Sequence, residues 1–189
     1  ARQGYASARV ATRHFGSGWA AAPSPYGVLG ALAASTERIG LGTAVLPIIF
    51  DDAVRAAEEL AVIDHLSGNR LLVGLGKGVP SDSYQVFEAY TPDRDKNFEE
   101  KIETLHWALE GHQVEGGTQS IYPANTSLQG RLFHGSSNDA TIRYAAQRGD
   151  GFILERFGNG PEREPGERQT FQRSQLRTVL DYRRVVRET

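Results

Sequence analysis

Residues 39–78 read as one complete strand–helix–strand unit, and that unit commits the chain to a parallel sheet. Ile39 to Val45 is a short apolar run bounded by turn residues, the pattern of a buried parallel strand. Asp51 or Asp52 can cap the helix that follows, because a carboxylate accepts from the free amides of a first turn. Ala53, Ala56, Ala57, Leu60 and Ile63 recur at helical spacing and give that helix one apolar face. Ser67-Gly68-Asn69 supplies the turn chemistry that ends it, and Leu71 to Leu75 is the next strand.

The alternation continues on both sides. Arg9 to Thr12 is the end of a strand, and a helix runs from about Ser24 to Thr36. Val79 to Arg94 is a loop or short helix carrying Tyr84, Phe87 and Tyr90. Asn97 to Glu110 is an amphipathic helix with Phe98, Ile102, Leu105 and Leu109 on one face. Glu115 to Gly130 is polar and rich in turn formers, an excursion from the regular pattern. Leu132 to His134 opens a strand, Thr141 to Arg148 is a helix, and Gly151 to Leu154 is a further strand. Gly158 to Glu167 is a charged Pro/Gly loop, and Thr170 to Arg187 is a final helix whose arginines form a solvated face. Strands alternating with helices mean α/β architecture in a single domain covering residues 1–189.

Composition restricts function only broadly. A formal net charge of -2 gives no reason to expect nucleic acid or an anionic membrane as partner. The absence of cysteine removes disulfides and thiolate metal sites. His65, His106 and His112 lack metal-ligand spacing, so no metal site is expected, and no catalytic triad is visible. No stretch has the length of a membrane span, and a cytoplasmic location is the default expectation. Glu58 and Asp64, on the central helix, read as structural pairs or caps.

Two loops carry anion-binding chemistry on their own residues. In Gly74-Leu75-Gly76-Lys77-Gly78 the glycines allow close backbone approach and Lys77 adds a point charge suited to phosphate. A tight turn with a solvated lysine is the plainer reading of the same residues. The second loop, Gly135-Ser136-Ser137-Asn138-Asp139-Ala140-Thr141, leads from a strand into a helix whose first amides and dipole favour an anion. Capping by Ser137 or Asn138 is compatible with that role.

Taken jointly, several segments resemble the flavin-dependent, luciferase-like monooxygenases, a family of (β/α)8 barrels. They are Arg13-His14-Phe15, Ile39 to Val45, Ala57 to Arg70, Gly74 to Gly78, Phe133 to Ser137 and Ala145 to Gly151. The resemblance implies a (β/α)8 TIM-type barrel, incomplete in this sequence, with its first strand and last strands missing. It further implies reduced FMN as cofactor, with deazaflavin F420 as the alternative on the same barrel. The implied flavin phosphate lies against Lys77, Ser137, Asn138 and Thr141, and its ring against Thr43, Ala44 and Val45. A small organic substrate, dioxygen, a separate flavin reductase and a homodimer formed by the helices after Pro23 and after Asp51 complete the implied set.

One departure stands out. Many members of the resembling family show two consecutive histidines before the phenylalanine, the first a general acid/base or substrate-side group; here Arg13 takes the first place and only His14 remains. A guanidinium stays charged and cannot shuttle a proton, but it can hold an anionic substrate or a flavin-bound peroxide. The substitution leaves a catalytically silent flavin-binding protein as a further reading. Zero methionine, the missing first strand and a short join at Val45–Leu46 lead to a last expectation: residues are missing from the sequence, with breaks between consecutive numbers.

Overall fold

The computed structural model describes residues 4–15, 22–78, 82–89, 93–136, 139–154 and 165–188, with side chains from residue 175 onward in the last segment. Five strands, β1 (Ser7–Val10), β2 (Gly40–Pro47), β3 (Leu71–Gly76), β4 (Leu132–Gly135) and β5 (Gly151–Ile153), form one sheet in chain order. Every neighbouring pair is parallel. Six helices connect or follow them: α1 (Pro25–Ser35), α2 (Ala53–Leu66), α3 (Asp82–Val86), α4 (Arg94–Leu109), α5 (Asp139–Arg148) and α6 (Pro165–Glu188). A doubly wound sheet reverses its strand order at a switch point. This order never reverses, which is the winding of a barrel wall.

Local chemistry explains the element ends. Asp52 caps α2 by accepting from the Arg55 amide at 2.8 Å, and Asp93 caps α4 by accepting from the Lys96 amide at 2.9 Å. The second cap starts α4 three residues before the Asn97 expected from apolar spacing. The described part of α6 begins at Pro165, inside the stretch expected to be a charged loop. Asn69 takes a positive φ of 63° after Gly68 at 68°, and this left-handed pair turns the chain from α2 into β3.

The core lies between one face of the sheet and the helices. Leu41, Val73, Leu75 and Leu132 from the strands meet Leu29, Leu60, Phe98, Ile102 and Leu105 from the helices, all fully buried. Below the strands, two arginines bind the layers together. Arg70 donates to the carbonyls of Ile39 and Thr36, each at 2.7 Å, and so holds the end of α1 against the start of β2. Arg131 grips the fully buried Asp64 with both terminal nitrogens at 2.7 and 2.8 Å. The same carboxylate accepts from Asn125 at 2.7 Å and from the Leu71 amide at 3.0 Å. Asp64 is thus a structural pair, as expected, and Glu58 lies 3.9 Å from Arg55.

Candidate functional site

The strands end on the side where loops build sites in this architecture, and a bulge interrupts the sheet there. Pairing of β2 with β3 slips between Thr43↔Val73 and Leu46↔Leu75, so Ala44 and Val45 together oppose the single residue Gly74. Such a bulge re-aims side chains out of the regular alternation. The Ala44–Val45 peptide is cis. Ala44 is exposed and Val45 is half-buried. A Cβ on Gly76 would lie 2.5 Å from Val45 Cγ2, and one on Gly135 would lie 2.6 Å from Val45 Cγ1. Val45 therefore spreads its two methyls over paired glycines of β3 and β4 and forms a low apolar ledge. Thr43 offers only backbone to this face. Its side chain is fully buried, with the hydroxyl donating to the Gly74 carbonyl at 2.7 Å.

Beside the ledge, two of the residues expected to bind an anion meet. Lys77 Nζ donates to Thr141 Oγ1 at 3.0 Å, across sixty-four positions of sequence, which brings the β3 loop to the first turn of α5. The ammonium also pairs with Asp95 and lies 5.7 Å from the centroid of the Phe98 ring. Tyr84 donates its hydroxyl to the Lys77 carbonyl, and Arg94 donates to the Gly78 carbonyl at 3.0 Å. Burial raises Tyr84 above the ordinary tyrosine value, against the pull of Arg94. Ser137 and Asn138 lie outside the described residues, as does Tyr90. Asp95 and Arg94, which begin α4, were not legible as site residues, because only the fold brings them to this loop.

His14 follows Arg13 into a cluster of rings that reaches the Lys77-Gly78 loop, where Phe50 Cε2 would lie 2.9 Å from a Cβ on Gly78. Arg13 is exposed, whereas the His14 ring packs at 4.7 Å from Phe87 and 5.8 Å from Phe50. Phe15, Phe50, Tyr84 and Phe87 extend these contacts into a wall of aromatic rings. Behind it Tyr26 donates to Asp51 Oδ2 at 2.9 Å. Burial holds Asp51 above the usual carboxylate range, and the Tyr26 hydrogen bond and the nearby His14 pull it back. The Arg13 guanidinium stays charged and cannot give up a proton.

A second polar group sits on the helix side of the sheet. His106 Nε2 from α4 and His134 Nε2 from β4 both donate to Asp150 Oδ2, each at 2.8 Å, and all three side chains are buried. Burial alone would raise Asp150, but the hydrogen bonds from His106 and His134 outweigh it and hold the carboxyl below its ordinary value. The group ties α4 to the two strands that flank the α5 loop. Among the described residues no group of three or more His, Cys, Asp or Glu side chains is arranged to hold a metal ion, and none of their helices is long and apolar enough to cross a membrane.

The donor set suits a flat ring on an apolar ledge with a phosphate at one end, as a flavin or deazaflavin requires. The family described as luciferase-like monooxygenase matches residues 1–173. Limonene 1,2-monooxygenase of Rhodococcus erythropolis is 30% identical over 113 residues, covering 60% of this chain and 29% of that protein. An F420-dependent glucose-6-phosphate dehydrogenase of Beutenbergia cavernae is 31% identical over 150 residues, covering 75% of this chain and 44% of that one. The chain thus spans less than half the length of these curated relatives. Among solved structures, monooxygenase RslO1 from Streptomyces bottropensis superposes with a TM-score of 0.80 at 22% identity, over 99% of this chain and 56% of that one. The FMN complex of the oxygenating constituent of 3,6-diketocamphane monooxygenase from Pseudomonas putida gives 0.74 at 12% identity, over 98% and 53%. These likenesses identify the five parallel strands as part of a TIM-type barrel. The chain belongs to the luciferase-like monooxygenase family.

Proposed function

We propose that this chain carries the cofactor site of a reduced-FMN-dependent monooxygenase of the two-component type, acting on a small organic substrate with dioxygen and supplied by a separate flavin reductase. The observation that carries this reading is the meeting of Lys77 Nζ and Thr141 Oγ1 at 3.0 Å beside the glycine-backed ledge of Val45. Lys77 and Thr141 hold the phosphate, joined by Ser137 and Asn138 of the same loop. Ala44 and Val45 carry the ring, with Thr43 contributing backbone. When bound, the reduced flavin supplies the electrons that activate dioxygen. The aromatic wall excludes water from the ring face, His14 holds or delivers a proton there, and Arg13 presents a fixed charge to an anionic group. In this reading the protein is a cytoplasmic, single-domain barrel.

Titration tests the phosphate assignment. A charge-assisted contact of about 1.5–3 kcal/mol makes Lys77→Ala weaken FMN about ten- to a hundredfold, while riboflavin, lacking the phosphate, binds variant and parent alike. Equal losses for both ligands, or no loss for either, sink it. The dehydrogenase relative from Beutenbergia favours a second reading, a deazaflavin F420-dependent oxidoreductase using the same ledge and phosphate site. Retention of F420 rather than FMN on purification, with no substrate-dependent oxygen uptake, selects it. Failure of any oxygenation or hydride transfer despite tight flavin binding identifies the silent binder.

A further inference from the structure

One charged side chain on the ligand face of the sheet has no part in the site so far described. Arg9, on β1 opposite Gly42, reaches across the sheet until its guanidinium lies 5.0 Å from the centroid of the Phe133 ring on β4. One terminal nitrogen donates to the Thr43 carbonyl at 3.3 Å, a part-buried bond at the root of the Ala44–Val45 bulge. Gly42 and Gly74 contribute no side chain of their own along this path, which runs past Leu72, the partner of Gly42, and Ile153, whose Cδ1 would lie 2.7 Å from a Cβ on Gly74. The residue as a whole is exposed, but its guanidinium is partly enclosed, and burial draws it below the ordinary arginine value. No ion pair to Arg9 occurs among the described residues, and the Phe133 ring and one carbonyl leave most of its five donors unspent. A cation that has given up part of its hydration without gaining an anion is set for one that arrives with a ligand.

We propose that Arg9 is the counter-charge for the reduced ring of the bound flavin, a deepening that rests on the FMN reading above. Two electrons and one proton convert the neutral oxidised isoalloxazine into an anion whose charge is delocalised over the ring. A guanidinium fixed by Phe133 and Thr43 at the root of the ledge stabilises that anion over the neutral form, and it does so without reorganising. The planar, weakly hydrated guanidinium suits a delocalised anion better than an ammonium does.

The test compares the parent with Arg9→Gln and Arg9→Lys, using FMN as the probe. The dissociation constant of oxidised FMN is read by fluorescence quenching, and the midpoint potential of bound FMN by equilibration with a reference dye. Arg9→Gln is expected to leave oxidised FMN within about twofold and to weaken reduced FMN about tenfold. For a two-electron couple that change lowers the midpoint potential by about 30 mV. Arg9→Lys keeps the charge and is expected to recover most of the shift. An unchanged potential in Arg9→Gln overturns the proposal, and so does equal weakening of both forms, which would make Arg9 a packing partner of Phe133. A parent that binds neither form of FMN overturns the flavin reading itself and this proposal with it; a parent that binds both, with no shift in the variant, overturns only the role of Arg9.

Discussion

Substituting Gly76 by alanine tests whether the ledge is built as described. The new Cβ would sit 2.5 Å from Val45 Cγ2, well inside contact distance, while the other methyl of Val45 already lies over Gly135. A β-branched side chain has few rotamers, and rotating Val45 away from one glycine drives a methyl toward the other. Overpacking of this kind costs about 1–3 kcal/mol. Val45→Ala alone removes two methyls from a half-buried position and costs about 1 kcal/mol or less. In the double variant the clash has no partner, so the coupling between the two changes should be favourable by about 1–2 kcal/mol. Urea denaturation of the parent, both single variants and the double variant measures this directly through the midpoint at constant slope. FMN titration of the same four proteins should show Gly76→Ala weakened and the double variant recovered in part. A Gly76→Ala protein as stable as the parent, or strictly additive losses in the cycle, would refute the geometry assigned to Val45.

Three further outcomes follow from the same structure. Asp150 is held below its ordinary value in the folded chain, so the stability it contributes is complete above the unfolded value of about 3.9 and disappears as pH falls through the folded value. Asp150→Asn should therefore cost about 3 kcal/mol at pH 7, from two hydrogen bonds to a charged acceptor. Urea midpoints should show that gap narrowing below pH 4, and a gap constant down to pH 3 refutes the charged arrangement. Asp95→Asn removes a carboxylate from beside Lys77; because its side chain is 54% exposed the effect is modest, at most about 1 kcal/mol. FMN should bind up to about fivefold tighter at low salt, and unchanged or weaker binding contradicts an anion site at Lys77. Val28 on α1 and Val62 and Leu66 on α2 are exposed, and we expect them to form a homodimer face. Light scattering at micromolar concentration should give a dimer that Val62→Asp converts to monomer; a monomeric parent refutes it.

Periodicity made the layers legible, and distance in sequence hid the rest. Asp52, the Ala53-to-Ile63 stripe and Ser67-Gly68-Asn69 each stated a local preference that the fold kept, so α2 and β3 lie where the residues place them. Boundaries moved where a cap outweighed the apolar stripe, as Asp93 did at α4. Lys77 and Thr141 were readable as partners because each follows a strand of one parallel sheet. The Asp95 partner was not, since nothing local in residues 93–97 distinguishes a site residue from an ordinary first-turn acid. Arg9 lay hidden for a different reason: its meeting with Phe133 joins β1 to β4, two strands that are not neighbours in the sheet. His106, Asp150 and His134 likewise have no spacing rule, because three separate elements supply them.

The clasp of Arg131 and Asn125 on Asp64 has a practical consequence for labelling this protein. It fixes the start of β4 to the end of α2 and the start of β3, while the turn between Val114 and Gln119 is closed by its own backbone bonds at 3.0 and 3.2 Å. The chain from α4 to the clasp is therefore tethered at both ends by contacts that do not involve its tip. Lengthening such a tether is entropically mild, about 0.6 kcal/mol for each doubling. A reporter peptide inserted between Gly116 and Gly117 should hang from the base of the sheet, leaving the strand ends, and whatever they bind, in place.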